Sequence, residues 1–183
     1  DKAYTWLEYP NLTGSYEGAL NANLQEHNTR TVASVCQRGE RALERAFGHG
    51  LRAMRSHVDS GGPGAEPSWE ALLTLQQRWR SRIEMQLVAL VPLAFWSSAE
   101  ADGLARRVAA SGGCLGGVLT PPCRSADVVD QLEVLLRLAD RHSCGIDLHI
   151  DESDHGPAEG MVQLLKALRR VPVQVPVTCS HAS

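Results

Sequence analysis

The sequence predicts an α/β fold built as a (β/α)8 barrel, of which these 183 residues supply the central part, about five strands. Three observations carry that reading. Short apolar stretches of strand length recur five times, and the stretches between them carry apolar residues at helical spacing. Such alternation implies parallel pairing through right-handed crossovers. Finally, three of the strands end at or near a histidine, His57, His149 and His181, and barrel enzymes keep their active sites at the C-terminal ends of their strands. A doubly wound open sheet fits the alternation too, but would show a glycine-rich phosphate turn after an early strand. Ser60-Gly61-Gly62-Pro63-Gly64 is a poor match, because no helix is expected to start on it.

The elements follow in order. Residues 1 to 28 are rich in Gly, Asn, Pro and aromatics, hold no period for long, and are expected to form a long loop. From Thr29, Val32, Val35, Cys36, Ala42, Leu43 and Ala46 fall on one helical face, with Gly48 and Gly50 as stop signals. Leu51 to Val58 is a strand, and Ser68 opens a helix carrying Leu72, Leu73, Leu75 and Trp79. Glu84 to Val91 is the next strand, and Ser97 with Glu100 forms a capping box for a helix through Ala110. Cys114 to Leu119 is a short strand ending at Pro121-Pro122. Val128, Leu132, Leu135, Leu136 and Ala139 line a helix ahead of the Ile146 strand, and Gly160 to Arg170 is a helix ahead of the Val173 to Cys179 strand. The whole of 1–183 reads as one partial barrel domain.

Composition narrows the function. A hydrophobic content of 43%, 21% charged residues and a net charge of −3 describe a globular chain with one sizeable core. No polybasic run interleaved with aromatics appears, so nucleic acid is excluded as a partner, while a free base or nucleoside stays compatible as a small ligand. The longest apolar run, Leu87 to Trp96, is too short to span a bilayer and contains Pro92. Five cysteines without a CxxC pair favour a reducing, cytoplasmic setting over a disulfide framework. Asn11-Leu12-Thr13 fits a glycosylation sequon, a triplet that arises often by chance. The chain starts at Asp1 without methionine and stops directly after a strand, so it is expected to be cut at both ends.

The chemistry is densest at Gly145-Ile146-Asp147-Leu148-His149-Ile150-Asp151-Glu152, an apolar strand running into a histidine and three carboxylates. Alternation puts Asp147, His149 and Asp151 on one face, so a neutral imidazole stands beside acids that can orient it. Pro176-Val177-Thr178-Cys179-Ser180-His181 is a second strand ending in histidine, and Arg55-Ser56-His57-Val58-Asp59 closes a third. An imidazole at a strand end can ligate a divalent ion, while a carboxylate three residues on reaches the bound water as proton shuttle. Hydrolysis at a carbon bearing nitrogen needs both a hydroxide available near neutral pH and an acid to protonate the departing amine. A histidine on the neighbouring strand can bond that hydroxide or the developing oxyanion.

Asp1-Lys2-Ala3-Tyr4-Thr5, Arg55 to Asp59, Ile146 to Glu152 and Val177 to His181 together resemble the cytosine deaminase branch of the metal-dependent amidohydrolase superfamily, which includes N-isopropylammelide isopropylaminohydrolase. The resemblance implies a TIM-barrel hydrolase with one divalent metal ion, zinc or iron. The expected reaction is deamination, cleavage of a non-peptide C–N bond in a cyclic amidine of pyrimidine or triazine type, through a metal-bound hydroxide. By the same resemblance His149 is the metal ligand from the fifth barrel strand, Glu152 the proton shuttle and His181 the histidine near the metal-bound water. His57 and Arg55 match a family motif and are given a structural role at the barrel mouth. The family's HxH ligands would lie just before Asp1 and its aspartate ligand on the last strand, both outside these residues. Where cytosine deaminases carry a Pro-Gln that reads the pyrimidine, this sequence has Val91-Pro92-Leu93-Ala94-Phe95-Trp96, which speaks against cytosine itself as substrate.

Blander readings hold elsewhere. His27, His49, His142 and His155 are expected to be solvated in loops or at helix ends, and Met85, Trp69 and Trp79 to be core. Asp151, Glu152 and Asp154 alone would read as a solvated acidic loop; the resemblance lifts Glu152 above it. Cys179 lies two residues before His181, on the same face by alternation, with nothing in the sequence to activate it as a nucleophile. A non-catalytic barrel protein that binds a small molecule is the competing class. The expected partner is a small-molecule substrate, with a homo-oligomer left open. The 183 residues alone are expected to be inactive, with exposed strand edges prone to association.

Overall fold

The computed structural model describes residues 5, 7–14, 16–152 and 156–182. Of the residues singled out above, Asp1 to Tyr4, Asp154 and His155 lie outside that set. The chain divides into two compact units, Asp1–Met85 and Gln86–Ser183.

The first unit holds α1 (Tyr16–His27), α2 (Val32–Gly48), β1 (Ala53–Asp59) and α3 (Ala65–Trp79), with the first residues of β2 (Glu84–Leu90). A capping box starts α2: Thr31 Oγ1 accepts from Ser34 N, and Ser34 Oγ accepts from Thr31 N, both at 3.1 Å. The α2 and α3 helices pack closely because Gly39 faces Leu75 with no side chain between them. Glu40 of α2 accepts from Arg78 Nη1 at 2.7 Å and Trp79 Nε1 at 2.9 Å. Leu43, Trp69, Ala71, Leu75, Trp79 and Ile83 are the buried core of this unit. Glu84 N donates to Arg52 O at 2.8 Å, tying the start of β2 to the residue before β1.

Helix α1 corrects the expected loop. Its sequence, with Gly18, Asn21 and Asn23, is only weakly amphipathic, and polar contacts both at helical spacing and from distant residues hold it. Buried Glu26 meets Arg30 at 2.7 Å and Arg38 at 2.8 Å, and Arg30 also reaches Asp59 at 3.1 Å. Asn23 Nδ2 donates to the same Asp59 carboxylate at 3.2 Å. His27, expected to be solvated, is buried, and its Nδ1 accepts from Gly64 N at 3.4 Å. Helix α3 does begin directly after the glycine loop, at Ala65 rather than Ser68. Glycine is required at 64 by the close packing of His27, since a Cβ there would stand 2.5 Å from His27 O and 3.0 Å from its ring.

The second unit continues β2 and adds α4 (Ala101–Ala110), β3 (Cys114–Leu119), α5 (Ala126–His142), β4 (Gly145–Ile150), α6 (Glu159–Arg170) and β5 (Val177–His181). Neighbouring strands β2, β3, β4 and β5 pair in parallel, and the sheet order β1-β2-β3-β4-β5 follows the chain. Helices α4, α5 and α6 pack on one another in series. Sequential order with one helix per crossover is a segment of β/α barrel wall, and differs from the out-of-sequence order of a doubly wound sheet.

Two boundaries differ from expectation. Ser97 ends a 3-10 turn over Leu93–Ser97 instead of capping a helix; Ser98 Oγ accepts from Glu100 N at 3.3 Å instead. Strand β5 starts at Val177 rather than Val173, since Pro172 and Pro176 have no N–H for a ladder; Pro176 instead accepts from Ile146 N at 2.8 Å. Leu87, Val88, Leu115, Leu132, Leu135, Leu136, Ile146, Leu148 and Ile150 form the core here, and Met85, Trp69 and Trp79 are buried as expected.

Candidate metal centre

The side chains of His149, Glu152 and His181 converge where β4 and β5 end. His181 Nε2 lies 2.9 Å from His149 Nδ1, so one nitrogen donates and the other accepts, with the rings 4.9 Å apart between centroids. Glu152 Oε2 is 3.4 Å from His181 Nε2 and 3.8 Å from His149 Nδ1. One ligand atom from each of the three falls within 4.8 Å of the others, the one such histidine, cysteine and carboxylate grouping among the described residues. Two imidazoles and a carboxylate are the donor types that zinc and ferrous iron accept. The donor set therefore fits a divalent ion.

Sheet register shows how this cluster is assembled. His149 sits opposite Ser180, and Ile150 opposite His181. Paired residues share a face, so a fully extended β5 would send His181 to the side of Ile150, away from His149. His181 has φ 73 and Ala182 φ 50, both left-handed, and this departure from extended backbone accompanies the return of the imidazole to His149. The turn is held by Ala182 N donating to Ile150 O at 2.9 Å. Asp147, on the His149 face, is buried and accepts from Ser180 Oγ at 3.1 Å, which locks the register below the cluster.

Asp151 does not extend the β4 face as alternation alone implied. Its φ of 55 breaks the strand, and its carboxylate accepts from Gly160 N at 2.6 Å and Met161 N at 3.0 Å at the start of α6. The role of that contact was not visible in the sequence, where Asp151 read as one more acid beside the imidazole.

Cys179 is part-buried, and burial first, then the charges of Asp147 and Asp151, push its thiol up, against a nucleophilic role. His57 lies within β1 of the first unit, next to buried Val58; the described cluster belongs wholly to the second. Among the histidines expected to be solvated, His49 is exposed, whereas His142 is largely covered and bonds Asp102 at 2.8 Å. That bond, foremost, holds the Asp102 carboxyl below the usual carboxylate range.

No protein-family model matches the chain. It is 33% identical over 183 residues to a pterin deaminase of Rhizobium rhizogenes, covering 99% of this chain and 41% of the relative. It is 29% identical over 104 residues to an N-isopropylammelide isopropyl amidohydrolase of Pseudomonas sp. strain ADP, covering 57% of this chain and 26% of the relative. Among solved structures, 5-methylcytosine deaminase from Klebsiella pneumoniae with 5-fluorocytosine superposes with a TM-score of 0.78 at 25% identity, covering 94% of this chain and 42% of that one. N-isopropylammelide isopropylaminohydrolase from Burkholderia multivorans gives 0.62 at 30% identity, covering 77% and 36%. The chain thus spans about two fifths of the length of the first relatives it matches. These proteins belong to the amidohydrolase superfamily, and the resemblance drawn from the sequence holds.

Proposed function

We propose that these residues are the central part of one barrel domain in a metal-dependent amidohydrolase, and that the full-length protein deaminates a small heterocycle. The observation that carries this reading is the convergence of His149, Glu152 and His181 on one point at two adjacent strand ends. The names of the relatives, which act on pterin, pyrimidine and triazine-type rings, support a cyclic amidine as substrate class.

Roles follow from exposure as well as from the resemblance. The His149 side chain is 23% exposed, His181 36% and Glu152 44%, so the innermost group is suited to holding an ion and the outermost to exchanging protons with substrate and solvent. His149 would hold the divalent ion, zinc or iron. When bound, such an ion supplies Lewis acidity and a water acidified towards neutral pH. Glu152 would take a proton on the water side and return it to the departing nitrogen, a task its reach to both imidazoles allows. His181 would donate a hydrogen bond to the oxygen that attacks or to the oxyanion that develops.

No helix among the described residues is long and apolar enough to cross a membrane, and all five cysteines are free thiols. A reducing cytoplasm is the compartment that suits five thiols.

The experiment is metal analysis of the full-length protein together with ammonia and amine release from pyrimidines, triazines and pterins. His149→Ala is expected to lose the bound metal. Glu152→Gln is expected to keep it and lose turnover by on the order of 10² to 10⁴. Full activity in Glu152→Gln removes its proton-carrying role, and undiminished metal in His149→Ala removes the ligand assignment.

A further inference from the structure

Strand parity sets Glu152 on the wrong side of β4 for the role given to it above. Positions 149 and 152 are an odd number of residues apart, so in a continued strand their side chains would leave opposite faces. Glu152 nevertheless brings its carboxylate to both imidazoles, 3.4 Å from His181 and 3.8 Å from His149. The residue between strand and carboxylate is Asp151. It adopts φ 55, a left-handed conformation that Asp tolerates better than most residues other than glycine.

The Asp151 side chain is committed elsewhere. The residue is 1% exposed, and its two oxygens take Gly160 N at 2.6 Å and Met161 N at 3.0 Å. Those N–H groups belong to the first turn of α6, which has no intrahelical partners for them and favours negative charge. Glycine at 160 permits the approach: a Cβ there would stand 2.9 Å from Asp151 Oδ1 and 2.9 Å from Ile150 Cγ1. The start of α6 is itself anchored from the neighbouring loop. Glu159 Oε2 accepts from Cys123 N at 3.0 Å, and Glu159 Oε1 accepts from Arg124 Nη2 at 2.8 Å.

We propose that Asp151 is the positioning residue for Glu152: its two-oxygen grip on a fixed helix start holds the left-handed turn that carries the Glu152 carboxylate to the imidazole pair. This inference rests on the reading of Glu152 as proton carrier. A displacement of about 1 Å in such a group costs on the order of 10²-fold in rate.

The test compares Asp151→Asn, Gly160→Ala, Glu152→Gln and the double variant Asp151→Asn with Glu152→Gln, all in the full-length protein. Bound metal, kcat and KM are measured on the heterocycle that releases ammonia fastest, and a crystal structure of Asp151→Asn is determined. Asparagine keeps one acceptor oxygen and tolerates the left-handed backbone, so the variant is expected to hold its metal and KM while kcat falls roughly ten- to a hundred-fold. In its crystal structure the Glu152 carboxylate is expected to have left His181. Gly160→Ala pushes on the same carboxylate from the helix side and is expected to show the same split; it decides the matter if Asp151→Asn does not fold. In the Glu152→Gln background, Asp151→Asn is expected to add nothing, because the two act through one group. Unchanged kcat in Asp151→Asn and Gly160→Ala, beside an inactive Glu152→Gln, overturns the positioning role alone. So does an Asp151→Asn effect that multiplies in full on the residual rate of Glu152→Gln. A fully active Glu152→Gln overturns the underlying reading and the inference with it.

Discussion

Substituting Glu26 by Gln should destabilise the first unit by about 3–5 kcal/mol, the cost of breaking a buried ion pair from one side. Glutamine keeps the shape and removes the charge. The Glu26 side chain is 4% exposed, and the Arg30 and Arg38 side chains facing it are 7% and 16% exposed. Without Glu26, two largely desolvated guanidinium groups would lose the carboxylate they share, and Arg30 would keep Asp59, 3.1 Å away and 25% exposed. For a protein of this size the loss corresponds to a Tm lower by about 6–20 °C. The assay is urea and thermal unfolding at pH 7, followed by circular dichroism and by the fluorescence of Trp69 and Trp79, which are buried in the same unit. The pH dependence has a definite sign. Burial pushes the Glu26 carboxyl up, but the hydrogen bonds and charges of Arg30 and Arg38 outweigh it and hold the pKa below its usual range. Stabilisation from a depressed carboxyl is present in full above the unfolded pKa of about 4.3 and is lost as pH falls through the folded value. The gap between native protein and variant should therefore be widest near neutrality and close in acid. A loss below about 1 kcal/mol at pH 7, the size seen for solvated pairs, would refute the reasoning.

Gly116→Ala should destabilise the second unit by about 1–3 kcal/mol, because its Cβ would stand 2.7 Å from the Ala89 carbonyl oxygen of the paired strand; an unchanged Tm would contradict that. Cys179 should alkylate more slowly than a free thiol at pH 7, since burial and two carboxylates raise its pKa, and Cys179→Ala should leave the deaminase activity proposed for the full-length protein unchanged; peptide mapping after iodoacetamide and a turnover assay check both.

The strands were legible because their apolar runs are local signals: β2 and β3 begin where the pattern says, and β4 ends in the motif that marked it. Helix α1 was not, because beyond the i,i+4 pair of Glu26 with Arg30 its anchors are distant in sequence: Glu26 also meets Arg38 from the next helix and Asn23 meets Asp59. The same holds for His27, whose burial depends on a glycine loop 37 residues away. At the candidate site, the identities of His149, Glu152 and His181 were readable from motif and resemblance, yet their meeting was not derivable from alternation. It depends on left-handed residues at Asp151 and His181, where the period of two is broken.

The imidazole pair joins residues 32 positions apart at 2.9 Å, across two strands whose ladder ends at that point. Any ligand gripped by both rings would act as a removable cross-link, closing a loop that contains the whole of α6. Because it would bind the folded strand ends and not the unfolded chain, it would stabilise the β4–β5 join by mass action, growing with the logarithm of ligand concentration above Kd. Ligand concentration would then set the cohesion of this end of the sheet.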